Sequence, residues 1–96
     1  MKKFVLLTYG YETPTQEIMD VWSNWFTSIR DKLVDSGSPF VLGREITHTG
    51  TKELPLDKGA ITGYCIINAD NIDEAEKIAQ DCPIITSVRV YETMSM

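Results

Sequence analysis

Few side chains in this 96-residue chain have the chemistry of an active site, and each also admits a structural role. The thiols are Cys65 and Cys82, separated by sixteen residues and forming no CxxC pair. A reactive thiol needs an electropositive setting, and Cys65 has no Lys, Arg or His beside it in sequence. It reads better as a small core residue of a buried strand. His48 is the only histidine, so a two-histidine metal site and a helical HExxH motif are both excluded. It could serve as a general base near neutrality, or stand solvated at a strand end. Arg44 shares its period-two face with Phe40, Leu42, Ile46 and His48. It could hold an anion bidentately or form an ion pair across a dimer.

The aromatic residues offer a different chemistry. Trp22 and Trp25 lie three apart, on one helical face, either as core packing or as the wall of a pocket for a small ligand. Tyr9, Tyr11 and Glu12, at the end of the first strand and in the loop after it, could form the mouth of such a pocket. The acidic run Asp70, Asp73, Glu74 and Glu76 suits a helix N-terminus and lacks the alternating oxygen spacing of a hard-cation loop. Glycines are isolated, with no phosphate loop and no Gly-x-Ser-x-Gly elbow. Neither a metal nor a cofactor is expected.

The elements that must position these groups follow from periodicity. Lys3–Tyr9 reads as a strand apolar on both faces. Thr13-Pro14-Thr15-Gln16 fits a capping box with Pro at the first helical position. Ile18, Val21, Trp22, Trp25, Phe26, Ile29 and Leu33 then form an amphipathic stripe, with Gly37 as the left-handed residue ending the helix. Phe40–Thr47 reads as a second strand, 48–60 as a long polar hairpin connection, and Ile61–Ala69 as a third strand. Asn71 caps a second helix that Pro83 ends, and Ile85–Glu92 is the fourth strand.

The order β-α-β-β-α-β predicts an α+β, ferredoxin-like fold: a four-stranded antiparallel sheet with two helices on one face. The second face is the informative one. Val5 and Leu7 alternate with Phe4 and Leu6, and Ile66 with Ile67, so the uncovered face is apolar too. Packing it against a second copy solves the exposure, which predicts a homodimer through the sheet face.

Composition sets the wider limits. The length is that of one domain, 1–96, with 43% apolar and 24% charged residues. A net charge of −5 leaves no basic footprint for nucleic acid or an anionic membrane surface. No run approaches the ~20 apolar residues of a membrane span, and the opening Met1–Leu7 lacks the features of a signal peptide. A cytoplasmic location with two reduced thiols is expected.

The stretch "GYCIINADNIDEAEKIAQDCPI", with the opening "MKKFVLLTYGYE", resembles YCII-like domains, including the branch named after its DGPF motif. The resemblance spans nearly the whole chain and implies a ferredoxin-like protomer assembled as a dimeric α/β barrel. In some YCII-like proteins a His on the first helix pairs with an Asp as a catalytic dyad. The first helix here contains no histidine and the Asp-Gly-Pro-Phe motif is absent, so no catalytic residue is carried over. The resulting expectation is a small-ligand-binding homodimer, with Tyr9, Trp22, Trp25 and Arg44 as ligand-contact candidates. The alternatives are a small cofactor-free enzyme using His48, and a purely structural or partner-binding dimer.

Overall fold

The structure is a computed structural model that describes residues 1–94. Its elements are β1 (Lys2–Tyr9), α1 (Gln16–Ser28), β2 (Leu33–Asp35), β3 (Gly43–Thr47), β4 (Gly50–Leu54), β5 (Ile61–Ala69), α2 (Ile72–Gln80) and β6 (Ser87–Glu92). Four strands form an antiparallel sheet in the order β2-β5-β1-β6, while β3 and β4 pair only with each other. The expected β-α-β-β-α-β frame is therefore present, with an extra hairpin inserted between its second and third strands. No described helix is long and apolar enough to cross a membrane.

Side-chain alternation sorts the sheet into two faces. Phe4 pairs with Ile67 and Leu6 with Cys65, and all four are buried beneath the helices. Ala69 on β5, Trp25 on α1, Ala75 and Ala79 on α2, and Cys82 just beyond complete this core. Cys65 is thus a core residue, and burial pushes its thiol up to about 12. The opposite face carries Val5, Leu7, Tyr64 and Ile66, all half-buried, and Arg89 and Tyr91 from β6. The apolarity expected on both faces is observed.

The structure corrects the expected second strand. Leu33 pairs with Ile67 and Asp35 with Ile66, so the edge strand comes from the segment expected to close the first helix. Helix α1 ends at Ser28, where Ser28 Oγ donates to the Trp25 carbonyl at 2.6 Å. Its apolar stripe does not stop there, because Ile29 and Leu33 serve a following turn and strand as well as they would a helix. The free edge of β5 decides between them: Asn68 N–H donates to the Lys32 carbonyl at 2.7 Å, and β2 satisfies backbone groups that would otherwise lie bare. Gly37 does adopt the left-handed conformation, with φ of 67°, but it turns the chain after β2 rather than ending α1.

Phe40–Thr47 is accordingly not a strand of the main sheet. Pro39 makes a single bridge to Gly63, and Phe40 N–H donates to the Thr62 carbonyl at 2.9 Å. Proline lacks the N–H a ladder needs, so the chain leaves the sheet there. Its later part, Gly43–Thr47, pairs with Gly50–Leu54, a strand inside the expected long connection. The first helix also starts later than expected. Thr15, not Thr13, is its N-cap, accepting from Ile18 N–H at 3.2 Å, and Gln16 donates to Asp20 at 2.9 Å. The second helix starts as expected, with Glu74 N–H donating to Asn71 Oδ1 at 2.9 Å.

Candidate functional site

A cleft of about 190 Å³ opens between the first half of α1 and the segment joining α2 to β6. Ile18, Val21 and Trp22 form the helix wall, and Pro83, Ile84 and Ile85 form the facing wall. Glu12 and Glu17 stand at its rim. Helical spacing aligns Ile18, Val21 and Trp22 with the core-facing Trp25, so the stripe that anchors α1 also extends beyond the core. Pro83 stops α2 and turns the chain so that Ile84 and Ile85, half and two-fifths exposed, face that stripe.

The two tryptophans divide the roles foreseen for them. Trp25 is buried, and its indole N–H donates to the Ile78 carbonyl at 3.3 Å. Trp22 is half-buried, edge-on to Trp25 at 5.8 Å and tilted against Phe26 at 5.8 Å, with part of its ring left to the cleft. Three aromatic rings in mutual contact fix the orientation of this wall. Neither Glu12 nor Glu17 forms an ion pair among the described residues. Glu17 lies in the first turn of α1, where its charge also complements the helix dipole.

The remaining candidates lie elsewhere in the protomer. Tyr9 is on the open sheet face, with the Arg89 guanidinium 4.7 Å from its ring centroid. Arg44 is on the β3–β4 hairpin, 3.9 Å from Glu53 in an exposed pair. His48 occupies the exposed turn of that hairpin, away from Trp22 and from the two rim carboxylates. Tyr9, Trp22, Arg44 and His48 thus occupy three separate regions and do not converge on one site. Among the described residues, no group of three or more His, Cys, Asp or Glu side chains could hold a metal ion.

Sequence reasoning missed Glu17, the Pro83–Ile85 wall and Arg89. The signal for the wall was available: two isoleucines after a helix-ending proline exceed what a half-buried edge strand requires. A larger trough of about 380 Å³ runs along α2 and β6, past Ile72, Ala79, Val88 and Val90. Among the described residues it has no aromatic wall, and Glu76 is the one charged side chain lining it.

Comparison with known proteins bears on the frame around the cleft. The model of the YCII-related domain matches residues 3–96. Among solved structures, the chain is similar to 5-chloro-2-hydroxyhydroquinone dehydrochlorinase of Burkholderia phenoliruptrix AC1100, in complex with 2,5-dihydroxybenzoquinone. The match has a TM-score of 0.58 and 19% identity, covering 96% of this chain and 93% of the other. At that identity the likeness shows a shared α+β fold. No curated protein matches the chain.

Proposed function

The chain belongs to the YCII-related domain family, and we propose that it is a cytoplasmic homodimer that binds a small, single-ring ligand in the α1 cleft. One observation carries the reading: a ring-sized cleft combines an aromatic wall, Trp22, with two carboxylates, Glu12 and Glu17, that form no ion pair among the described residues. Its volume of about 190 Å³ exceeds the roughly 150 Å³ in which an apolar cavity accommodates benzene. Stacking on Trp22 supplies affinity for a flat face, and the rim carboxylates accept hydrogen bonds from hydroxyl or amino substituents. The same carboxylates repel anions, so the ligand is neutral or cationic rather than anionic at its rim-facing end. The dehydrochlorinase of similar fold is in complex with a dihydroxylated six-membered ring, which fits this size class.

Other features fit the remaining parts of the proposal. Two unpaired thiols suit a reducing compartment. The apolar open face of the sheet suits a second copy packed against it, which would form the dimeric α/β barrel. The alternative enzyme reading through His48 draws less support from the geometry, because among the described residues that exposed side chain forms no ion pair with a carboxylate and does not line the α1 cleft.

A panel of phenols, hydroquinones, aromatic amines and benzoates, followed by tryptophan emission and thermal shift, tests the proposal. Hydroxylated or amino-substituted rings should bind and benzoates should not. A ligand at 100 times its dissociation constant raises stability by about 2.7 kcal/mol. Trp22→Ala should abolish binding. The paired Glu12→Gln and Glu17→Gln changes, both at exposed positions, should weaken it without altering the fold. No binding by any ring, or equal binding by the carboxylate variants, would sink the proposal.

A further inference from the structure

The β3–β4 hairpin is an arm whose strands pair only with each other among the described residues. Every residue from Ser38 to Gly59 is exposed, including Val41 at 68%, Leu42 at 93% and Ile46 at 78%. The radius of gyration, 14.4 Å, exceeds the roughly 12–13 Å of a compact chain of this length. A two-stranded hairpin in water is marginal by itself, and its two ion pairs, Arg44–Glu53 and Lys52–Glu45, are both exposed. An arm carrying this much bare apolar surface requires something to cover it.

Two observations identify the cover. First, the root of the arm is continuous with the open sheet face: the Phe40 ring stacks on Tyr64 at 5.7 Å, beside Leu7, Val5 and Ile66. Leu42 and Ile46 lie further along the same segment, on either side of Arg44, and at 93% and 78% exposure they carry the arm's largest bare apolar surface. Second, charge is divided between the two sides of the molecule. The helix-bearing segments 10–32 and 70–81 hold nine acidic and three basic residues; the rest of the chain, strands and arm included, holds five acidic and six basic. Two copies can therefore meet sheet-side and arm-side with little repulsion while their acidic helices stay in solvent.

We propose that the β3–β4 arm of each protomer clasps a second copy of this chain, seating Leu42 and Ile46 on that copy's open sheet face. The inference rests on the homodimer reading and is independent of the ligand cleft. A sheet-face dimer without the arm would bury only the sheet residues; the arm adds a reciprocal clasp that a two-fold axis repeats on both sides.

Sedimentation equilibrium of the 96-residue chain tests this with two variants. Wild type should sediment as a dimer at micromolar concentration. Leu42→Lys with Ile46→Lys should raise the dimer dissociation constant by about tenfold or more, leaving far-ultraviolet circular dichroism unchanged because both side chains are already exposed. Tyr91→Glu, on the open face, should weaken the dimer as well. If the lysine variant fails to fold, Leu42→Ser with Ile46→Thr makes the same comparison. A monomeric wild type would overturn both the dimer and the arm. An arm variant that dimerises like wild type, while Tyr91→Glu does not, would overturn the arm and leave the sheet-face dimer standing. Loss of dimer in the arm variant alone would overturn the seat on the sheet.

Discussion

The indole N–H of Trp25 donates to the main-chain carbonyl of Ile78 across 3.3 Å, joining the two helices above the sheet. Ile78 lies in the last turn of α2, where helix carbonyls lack the regular intrahelical donor. The nearest backbone donor, Asp81 N–H, is 3.4 Å away. One buried side chain therefore fills the core and satisfies part of a helix end.

Replacing Trp25 with Phe keeps most of the apolar volume and removes the donor. The expected loss is about 1–2 kcal/mol in urea unfolding, the cost of an unmade buried hydrogen bond. Trp25→Ala adds a cavity and should lose about 3–5 kcal/mol. Equal midpoints for Trp25→Phe and wild type would show the bond to be unimportant.

Gly37 is a second pressure point. Its φ of 67° disfavours any side chain, and a Cβ there would run into the Tyr64 carbonyl on the neighbouring strand. Gly37→Ala should cost at least about 1–3 kcal/mol and loosen the β2 edge, seen as faster amide exchange at Asn68. Gly59→Ala is the control, since its Cβ would meet only Asp57 Oδ1 at 3.6 Å. Its melting temperature should match wild type.

The buried thiols set an alkaline limit. Burial is the leading cause in both cases, pushing Cys65 from 9.0 to about 12 and Cys82 from 9.0 to about 11. Because the native values lie above the unfolded ones, this contribution is complete below pH 9.0 and is lost as pH rises through 11 to 12. Thermal midpoints should fall across that window, with a shallower fall for Cys82→Ala. At about pH 8, thiol reagents should react with neither cysteine until the protein is unfolded. Rapid labelling of the native protein would contradict the burial of both.

His48→Ala separates the ligand-binding and enzyme readings. At an exposed hairpin turn the change should move stability by less than about 0.5 kcal/mol. Ring binding in the α1 cleft should be unchanged. A loss of binding or of turnover on an identified substrate would restore the histidine to the site.

Much of the fold was legible in sequence because it rests on local physics. Alternation along β1 and β5 showed two apolar faces, Asn71 and Pro83 bounded α2, and Cys65 could be placed among core residues because it sits in an apolar run with no Lys, Arg or His beside it. Trp22 and Trp25 were legible as neighbours on one helical face. Which of them would be buried was not, because that depends on α2 and Ile78, more than fifty residues away.

The chain by itself determined the βαββαβ frame, the amphipathic faces and the acidic balance, since each follows from side-chain type and spacing within a few residues. Tertiary structure decided the rest. Whether Leu33–Asp35 or Phe40–Thr47 would pair with β5 depended on competition for one open edge, and the outcome set Phe40–Thr47 outside the sheet. That choice carried Arg44 and His48 onto an arm, while the placing of α1 beside the segment after α2 set Trp22 opposite Ile84 and Ile85 across a cleft. Strand propensity states that a segment can pair; only the geometry of the whole chain states with what, because hydrogen-bond partners in a sheet are distant in sequence and nearly interchangeable in energy.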